Sequence, residues 1–375
     1  MPTGRGWTVL AAGPVLLAVG LLVGYRELAT LGGAAVLCVA LAAGWVGAPP
    51  RVTAERIVTP YRVLQGEQCQ AEVHVHSVSG RTRLLDLIEP VHGPFGEYDI
   101  TNPVRVRGGI PARVGYPLPT DRRGVLTVGP LRVGRADPLG LCRAQRQVAP
   151  AARVLVRPRW RHLRALPLGT APSLDGLLDT AAHGSIAFHA LREYRLGDDL
   201  RRVHWRTSAR FGTLMVREHV DTALPRLAVL VDDRAESYGI DVDALEDVVE
   251  AAASVLAAAG RDSVPVALCP ASRPTVASTV DAGLDLLAQV QPTAGVDLAA
   301  TLPGLRRHQA GDTLLFLSGP DGDLGPVLAS RSGYSAVVVA LLGKRAQAPS
   351  VPAGVAAMAA ATAAEFADRW NGALR

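Results

Sequence analysis

Between positions 185 and 220 the chain carries its most informative concentration of groups capable of chemistry. Arg192, Glu193, Arg195, Asp198, Asp199, Arg201, Arg202, His204, Arg206, Arg210, Arg217, Glu218 and His219 surround Tyr194, Trp205 and Phe211. Asp198, Asp199 and His204 are acid and base groups from which a hydrolase acting on cell-envelope material could be built. Adjacent residues in a turn usually point apart, however, and no GxSxG, HExxH or P-loop accompanies them. The same residues can also satisfy one another. Planar guanidinium forks pair with carboxylates in bidentate fashion and stack on Trp205 or Tyr194. Three readings follow, in falling order: a salt-bridge knot joining two domains, an arginine-rich surface that docks a partner, and catalysis. Gly197 marks a tight turn. Asp198 and Asp199 then cap a helix or irregular turn over 201–208, followed by a strand over 214–216.

Other polar groups carry less. His74 and His76 share the polar face of one strand without a third ligand nearby, and read as solvated surface residues. Cys38, Cys69, Cys142 and Cys269 are widely spaced, with no CxxC and no histidine at metal spacing. They read as small apolar residues in a reducing compartment. A net charge of +5 over 375 residues, with no run of Lys or Arg, excludes a nucleic-acid groove as the expected partner surface. Lys344 is the one lysine, so arginine enrichment reflects coding bias more than any particular site.

The elements that must position these groups begin with two uncharged apolar stretches, 8–25 and 28–49, separated by Arg26 and Glu27. Each is long enough to cross a bilayer core, which takes roughly 20 residues. The charged turn between them makes an antiparallel hairpin, not a cleaved leader with its single short apolar core. Arg5 before the first stretch, and Arg51 and Arg56 after the second, place both ends on the cytoplasmic side, with Arg26 weakening the contrast. Trp7, Tyr25 and Trp45 suit the interface, and Gly32, Gly33, Ala34, Ala35, Ala40, Ala42 and Ala43 allow close helix packing.

From position 51 the period switches to two. Ala71, Val73 and Val75 alternate with polar residues, and short apolar stretches follow at 57–64, 84–88, 104–106, 114–118, 125–133 and 154–156. Turn residues separate them, among them Gly66, Gly80, Gly108 and Pro138. Short strands at this spacing predict an immunoglobulin-like β-sandwich. Beyond position 224 apolar strands at 227–231, 264–268, 313–317 and 336–342 alternate with helices at 242–259, 282–290, 298–307 and an Ala-rich closing helix at 353–374. That order predicts a doubly wound α/β domain. The organisation is a transmembrane hairpin over 1–50, a β-sandwich over 51–160, a linking segment over 161–223 and an α/β domain over 224–375.

Arg192, Glu193, Tyr194, Gly197, Asp198, Asp199, Arg202, His204, Trp205, Ser208 and Arg210, in that spacing, resemble the hallmark of the domain of unknown function 58 family. Upstream, Arg122, Arg123 and Gly124, then Val128, Gly129, Pro130 and Leu131, then Asp137, Pro138, Leu139, Gly140 and Leu141, also resemble its pattern. So does 154–158. The resemblance covers roughly 51 to the end, and the two-span start is typical. It implies a von Willebrand factor A-like C-terminal domain, and association with MoxR-type AAA+ ATPases and with other membrane proteins. Von Willebrand factor A domains often hold a divalent cation on an Asp-x-Ser-x-Ser loop, a Thr and an Asp. Here Asp233 and Ser237 fit the loop, Ala235 replaces its middle serine, Val296 stands where threonine is common, and Asp321 or Asp323 could be the last acid. Two hydroxyls are missing, so the resemblance implies a degenerate Mg2+ site that a hard cation would fill poorly. The expectation is a membrane-anchored scaffold or adaptor working with such an ATPase in complex assembly or remodelling, not an enzyme. The alternative is the envelope hydrolase of Asp198, Asp199 and His204.

Overall fold

A computed structural model describes residues 1–47, 52–77, 83–94, 96–107, 110–166, 188–193, 205–219, 226–241, 243–273, 275–308 and 313–372. The chain divides into two compact units, Met1–Arg159 and Trp160–Arg375.

The first unit starts with α1 (Gly4–Val23) and α2 (Arg26–Val46), two helices long and apolar enough to cross a membrane. Thr3 caps α1 by accepting from the Gly6 amide at 3.1 Å. Gly6, Gly13 and Gly20 recur every seventh residue on one buried face of α1. A Cβ on Gly20 would lie 2.3 Å from the Ala29 nitrogen, and one on Gly32 2.3 Å from that of Leu17. These glycines are therefore what lets the two backbones touch. Of the small residues expected at this contact Gly33 faces open space instead.

Two sheets follow, antiparallel throughout except where β2 runs parallel to β10. β1 (Val52–Thr59), β3 (Cys69–Ser77) and β6 (Ala112–Leu118) form one, in the order β1-β3-β6. The other contains β2 (Arg62–Leu64), β4 (Arg83–Gly93), β5 (Gly96–Val106), β7 (Gly124–Val128), β8 (Leu131–Ala136), β9 (Arg143–Ala149) and β10 (Ala152–Arg157), ordered β2-β10-β7-β4-β8-β9 with β5 on β4. Ala71, Val73 and Val75 of the first sheet meet Leu85, Leu87, Leu126, Val133 and Val154 of the second in one apolar core, as the period-two pattern requires. Two stretches read from sequence as continuous are split, 57–64 at Pro60 and 125–133 at Gly129 and Pro130. β9 escaped sequence reading because its edge position leaves Arg143, Arg146 and Gln147 exposed.

In the second unit β11 (Phe188–Glu193) pairs antiparallel with β12 (Met215–His219), and α3 (Trp205–Phe211) lies between them in sequence. The main sheet is parallel, ordered β14-β13-β15-β16-β17, with β13 Leu227–Val231, β14 Val266–Pro270, β15 Thr313–Ser318, β16 Ala336–Leu342 and β17 Val355–Ala360. Alternate residues feed two cores. Leu227, Val229 and Val231 pack with α4 (Ala244–Arg261), α5 (Val280–Leu287) and α8 (Ala363–Gly372), whereas Ala228 and Leu230 pack with α6 (Leu298–His308) and α7 (Gly325–Ala329). Helices on both faces explain why β13, β14 and β15 are buried at every position. The expected closing helix over 353–374 is corrected. Its first part is β17, because Val355 to Ala360 complete the ladder beside β16, and the helix begins only at Ala363. Residues 160–166 belong to this unit: Leu163 and Leu166 enter its core, and the Trp370 indole donates to the Ala165 carbonyl at 2.8 Å.

Candidate functional site at the crown of the parallel sheet

Open α/β sheets bind ligands outside the carboxyl ends of their strands, where the strand order reverses. Here the reversal lies between β13 and β15, so the chain leaving those strands forms the candidate site. β13 leads directly into Asp232 and Asp233, both buried, and β15 ends on the buried Ser318.

Asp232 is fully enclosed and fully engaged. Its Oδ1 accepts from Arg234 Nε at 2.8 Å and its Oδ2 from Arg234 Nη2 at 2.8 Å, a bidentate pair. Oδ2 also accepts from the hydroxyls of Ser237 at 2.7 Å and Ser318 at 2.6 Å. The Tyr238 hydroxyl donates to the Asp232 carbonyl. Asp232 holds the Arg234 guanidinium above its ordinary pKa, ahead of the opposing effect of burial. Asp233 faces the other way. Its Oδ1 accepts from the Ser272 amide at 2.8 Å, and its Oδ2 from the Ser272 hydroxyl. Burial raises its pKa, and the Ser272 bonds partly offset that. Beside it, burial and the Asp233 charge push the Cys269 thiol up to about 11. The floor is tight: a Cβ on Gly319 would meet the Ser237 carbonyl at 2.2 Å, and one on Gly322 the Ser318 hydroxyl at 2.1 Å.

Sequence spacing selected Asp233, Ser237 and Asp321 here. The structure does not join them. Ser237 serves Asp232, Asp233 serves Ser272, and Asp321 lies 3.4 Å from the Arg345 guanidinium. Asp232 was missed because counting five positions back from Ser237 breaks the loop pattern by one residue. A divalent cation does not fit this donor set. The carboxylate that would coordinate it already binds a guanidinium on both oxygens, and a second positive charge there would face Arg234 at close range. Among the described residues no group of three His, Cys, Asp or Glu side chains converges.

Of the arginine-rich stretch, Tyr194, Gly197, Asp198, Asp199, Arg202 and His204 lie outside the described residues. Arg192 and Glu193 form the end of β11, opposite Val216 and Met215. Ser208 is buried on α3, and its hydroxyl accepts from the Met215 amide at 2.8 Å, fastening the helix to β12. Trp205 is 65% exposed, and Arg210 is exposed as well. Elsewhere, His74 Nε2 lies 2.7 Å from Glu72 on the outer face of β3, and His76 is exposed.

Residues 190–312 match a family described as "Protein of unknown function DUF58", which supports the assignment to the domain of unknown function 58 family. No curated protein matches the chain. Among solved structures, a β-glucosidase from Erythrobacter marinus aligns at 8% identity and a TM-score of 0.22, over 28% of this chain and 15% of that one. A β-glucosidase from Listeria innocua aligns at 13% identity and 0.19, over 27% and 16%. A CARDB domain from Pyrococcus furiosus aligns at 15% identity and 0.21, over 29% and 88%. The chain thus spans about a sixth of the glucosidases' length, and none of these likenesses bears on its activity.

Proposed function

We propose that this member of a family without a defined activity is a membrane-anchored adaptor. Its hairpin α1–α2 crosses the bilayer twice, with an immunoglobulin-like sandwich and a von Willebrand factor A-like domain on the cytoplasmic side. Its partner is a MoxR-type AAA+ ATPase, which it holds at the membrane during assembly or remodelling of protein complexes. The observation that carries the reading is the crown of the parallel sheet. The place where such sheets hold ligand is filled by an internal ion pair, Asp232 with Arg234, braced by two serine hydroxyls. A rigid, charge-compensated crown suits docking better than turnover. The exposed Trp205 and Arg210 supply the residue types that anchor protein interfaces. The ATPase partner itself rests on the family resemblance.

The test is recovery of the detergent-solubilised, full-length protein from its native membrane, with and without ATP, followed by mass spectrometry. Nucleotide-dependent recovery of an AAA+ ATPase is expected. Repeated absence of one, with protease mapping that puts both units outside the cytoplasm, would sink the adaptor reading.

A further inference from the structure

The Asp137–Pro138–Leu139–Gly140–Leu141 turn, singled out in the sequence, joins β8 to β9 and reaches the first turn of α1. Asp137 is buried and organises it. Its Oδ1 accepts from the Leu139 amide at 2.9 Å, its Oδ2 from the Cys142 amide, and its carbonyl from Gly140 at 3.1 Å. The turn is then bonded to the chain start. Thr3 donates its amide to the Leu141 carbonyl at 2.8 Å and its hydroxyl to the Gly140 carbonyl at 2.6 Å. The Met1 ammonium donates to the Arg143 carbonyl at 2.8 Å. A Cβ on Gly6 would sit 2.0 Å from the Leu141 carbonyl oxygen, so only glycine allows this approach. Leu141, Cys142 and Ala144 also share a buried apolar cluster with Val39, Ala42 and Val46 of α2.

These bonds fix the height of the turn. The uncharged stretch of α1 begins at Thr8, and α2 ends at Val46, so the hydrocarbon boundary falls near the residues that the turn grips. At that height Leu139 is 62% exposed. Arg135 stacks its guanidinium 5.4 Å from the centre of the Trp45 ring, and Arg5 and Arg143 are exposed. None of the three has a carboxylate partner among the described residues. An exposed apolar tip, with guanidinium groups that lack carboxylate partners among the described residues and two spans beside it, matches the acyl-to-phosphate boundary of an anionic bilayer.

We propose that this turn is a membrane-contact element: Leu139 inserts at the top of the acyl layer, and Arg5, Arg135 and Arg143 face lipid phosphates. The turn would then set the first unit's β-sheets directly on the bilayer instead of at the end of a free tether. This rests on α1 and α2 spanning the membrane.

The experiment uses the full-length Cys38→Ala/Leu139→Cys protein carrying a bimane label; Cys69, Cys142 and Cys269 are buried and escape labelling. It is placed in nanodiscs of phosphatidylcholine, with or without phosphatidylglycerol, containing brominated acyl chains. A second label at Leu22→Cys, exposed on α1, reports on the span itself. Quenching at both positions is expected, with a blue shift at 139 that grows when phosphatidylglycerol is present. Arg5→Gln/Arg135→Gln/Arg143→Gln should abolish that growth. Quenching at 22 with a water-exposed probe at 139 overturns the contact and leaves the spans standing. Quenching at neither removes the spans and the contact together. Quenching at 139 that is indifferent to phosphatidylglycerol overturns the phosphate contacts.

Discussion

In the first unit a buried carboxylate meets its guanidinium across two sheets; in the second it meets one two residues along the same chain. Arg56 projects inward from β1, and its Nη1 donates to Glu89 Oε1 of β4 and, at 2.9 Å, to the Val128 carbonyl. Both side chains are almost sealed, at 4% and 2% exposure, yet Arg56 Nε and Glu89 Oε2 find no partner among the described residues. Burial raises the Glu89 pKa, and Arg56 only partly offsets it. Asp232 has every oxygen satisfied by groups within its own loop or at the end of β15. The first pair is a long-range clamp that the fold must assemble. The second forms once β13 ends and β15 arrives, and it fills a place where other sheets keep a ligand. One charge pair holds two sheets, and the other closes a site.

The comparison breaks first at the clamp. Arg56→Met should leave Glu89 buried and unpaired, costing about 3–5 kcal/mol of unfolding free energy. Arg56→Met/Glu89→Leu should recover most of that loss. Denaturant unfolding of the full-length protein in detergent checks both, and a double variant as unstable as the single one would show that the pair does more than compensate itself.

At the crown, Arg234→Ala removes a bidentate partner but leaves Asp232 with two serine hydroxyls, so the expected loss is smaller, about 2–3 kcal/mol. The melting temperature of the parent should be indifferent to Mg2+ and to chelator, whereas that of Arg234→Ala should rise with Mg2+. A parent protein stabilised by Mg2+ would contradict the view that Arg234 supplies the positive charge of the site.

Cys269 sharpens the same contrast through pH. Its folded pKa is raised from 9.0 to about 11, so the folded state holds the proton more tightly than the unfolded chain. The stability this gives is complete below pH 9 and is lost as pH rises through about 11. Cys269→Ala should flatten the decline between those limits in denaturant melts, and a decline of unchanged slope would assign it to other groups.

What the sequence made legible follows from burial. Ala71, Val73 and Val75 announce a strand with one wet face, and Leu227 to Val231 announce a strand covered on both, because each pattern is a direct image of its surroundings. Val355 to Ala360 hid because alanine suits a helix, and only the ladder to β16 decides otherwise. The crown was legible as a region but not in its pairing. Asp232 and Asp233 are neighbours of equal chemistry, and the alternation at the end of β13, invisible in residue type, sends one to Arg234 and the other to Ser272. Of the arginine-rich stretch, Ser208 proves to be a fastener between α3 and β12, a role that no spacing rule suggests.

Trp205 gives the smallest expected change in stability and the clearest division between docking and internal support. With two thirds of its surface open, Trp205→Ala should alter unfolding free energy by no more than about 0.5 kcal/mol. Ser208→Ala, three positions on, should cost about 1 kcal/mol because the Met215 amide loses its acceptor. If the stretch docks a partner, Trp205→Ala loses nucleotide-dependent ATPase recovery at unchanged stability, while Ser208→Ala keeps it in proportion to the folded protein. The reverse result, a destabilised Trp205→Ala with intact recovery, would make the indole part of an internal knot and move the docking surface away from α3.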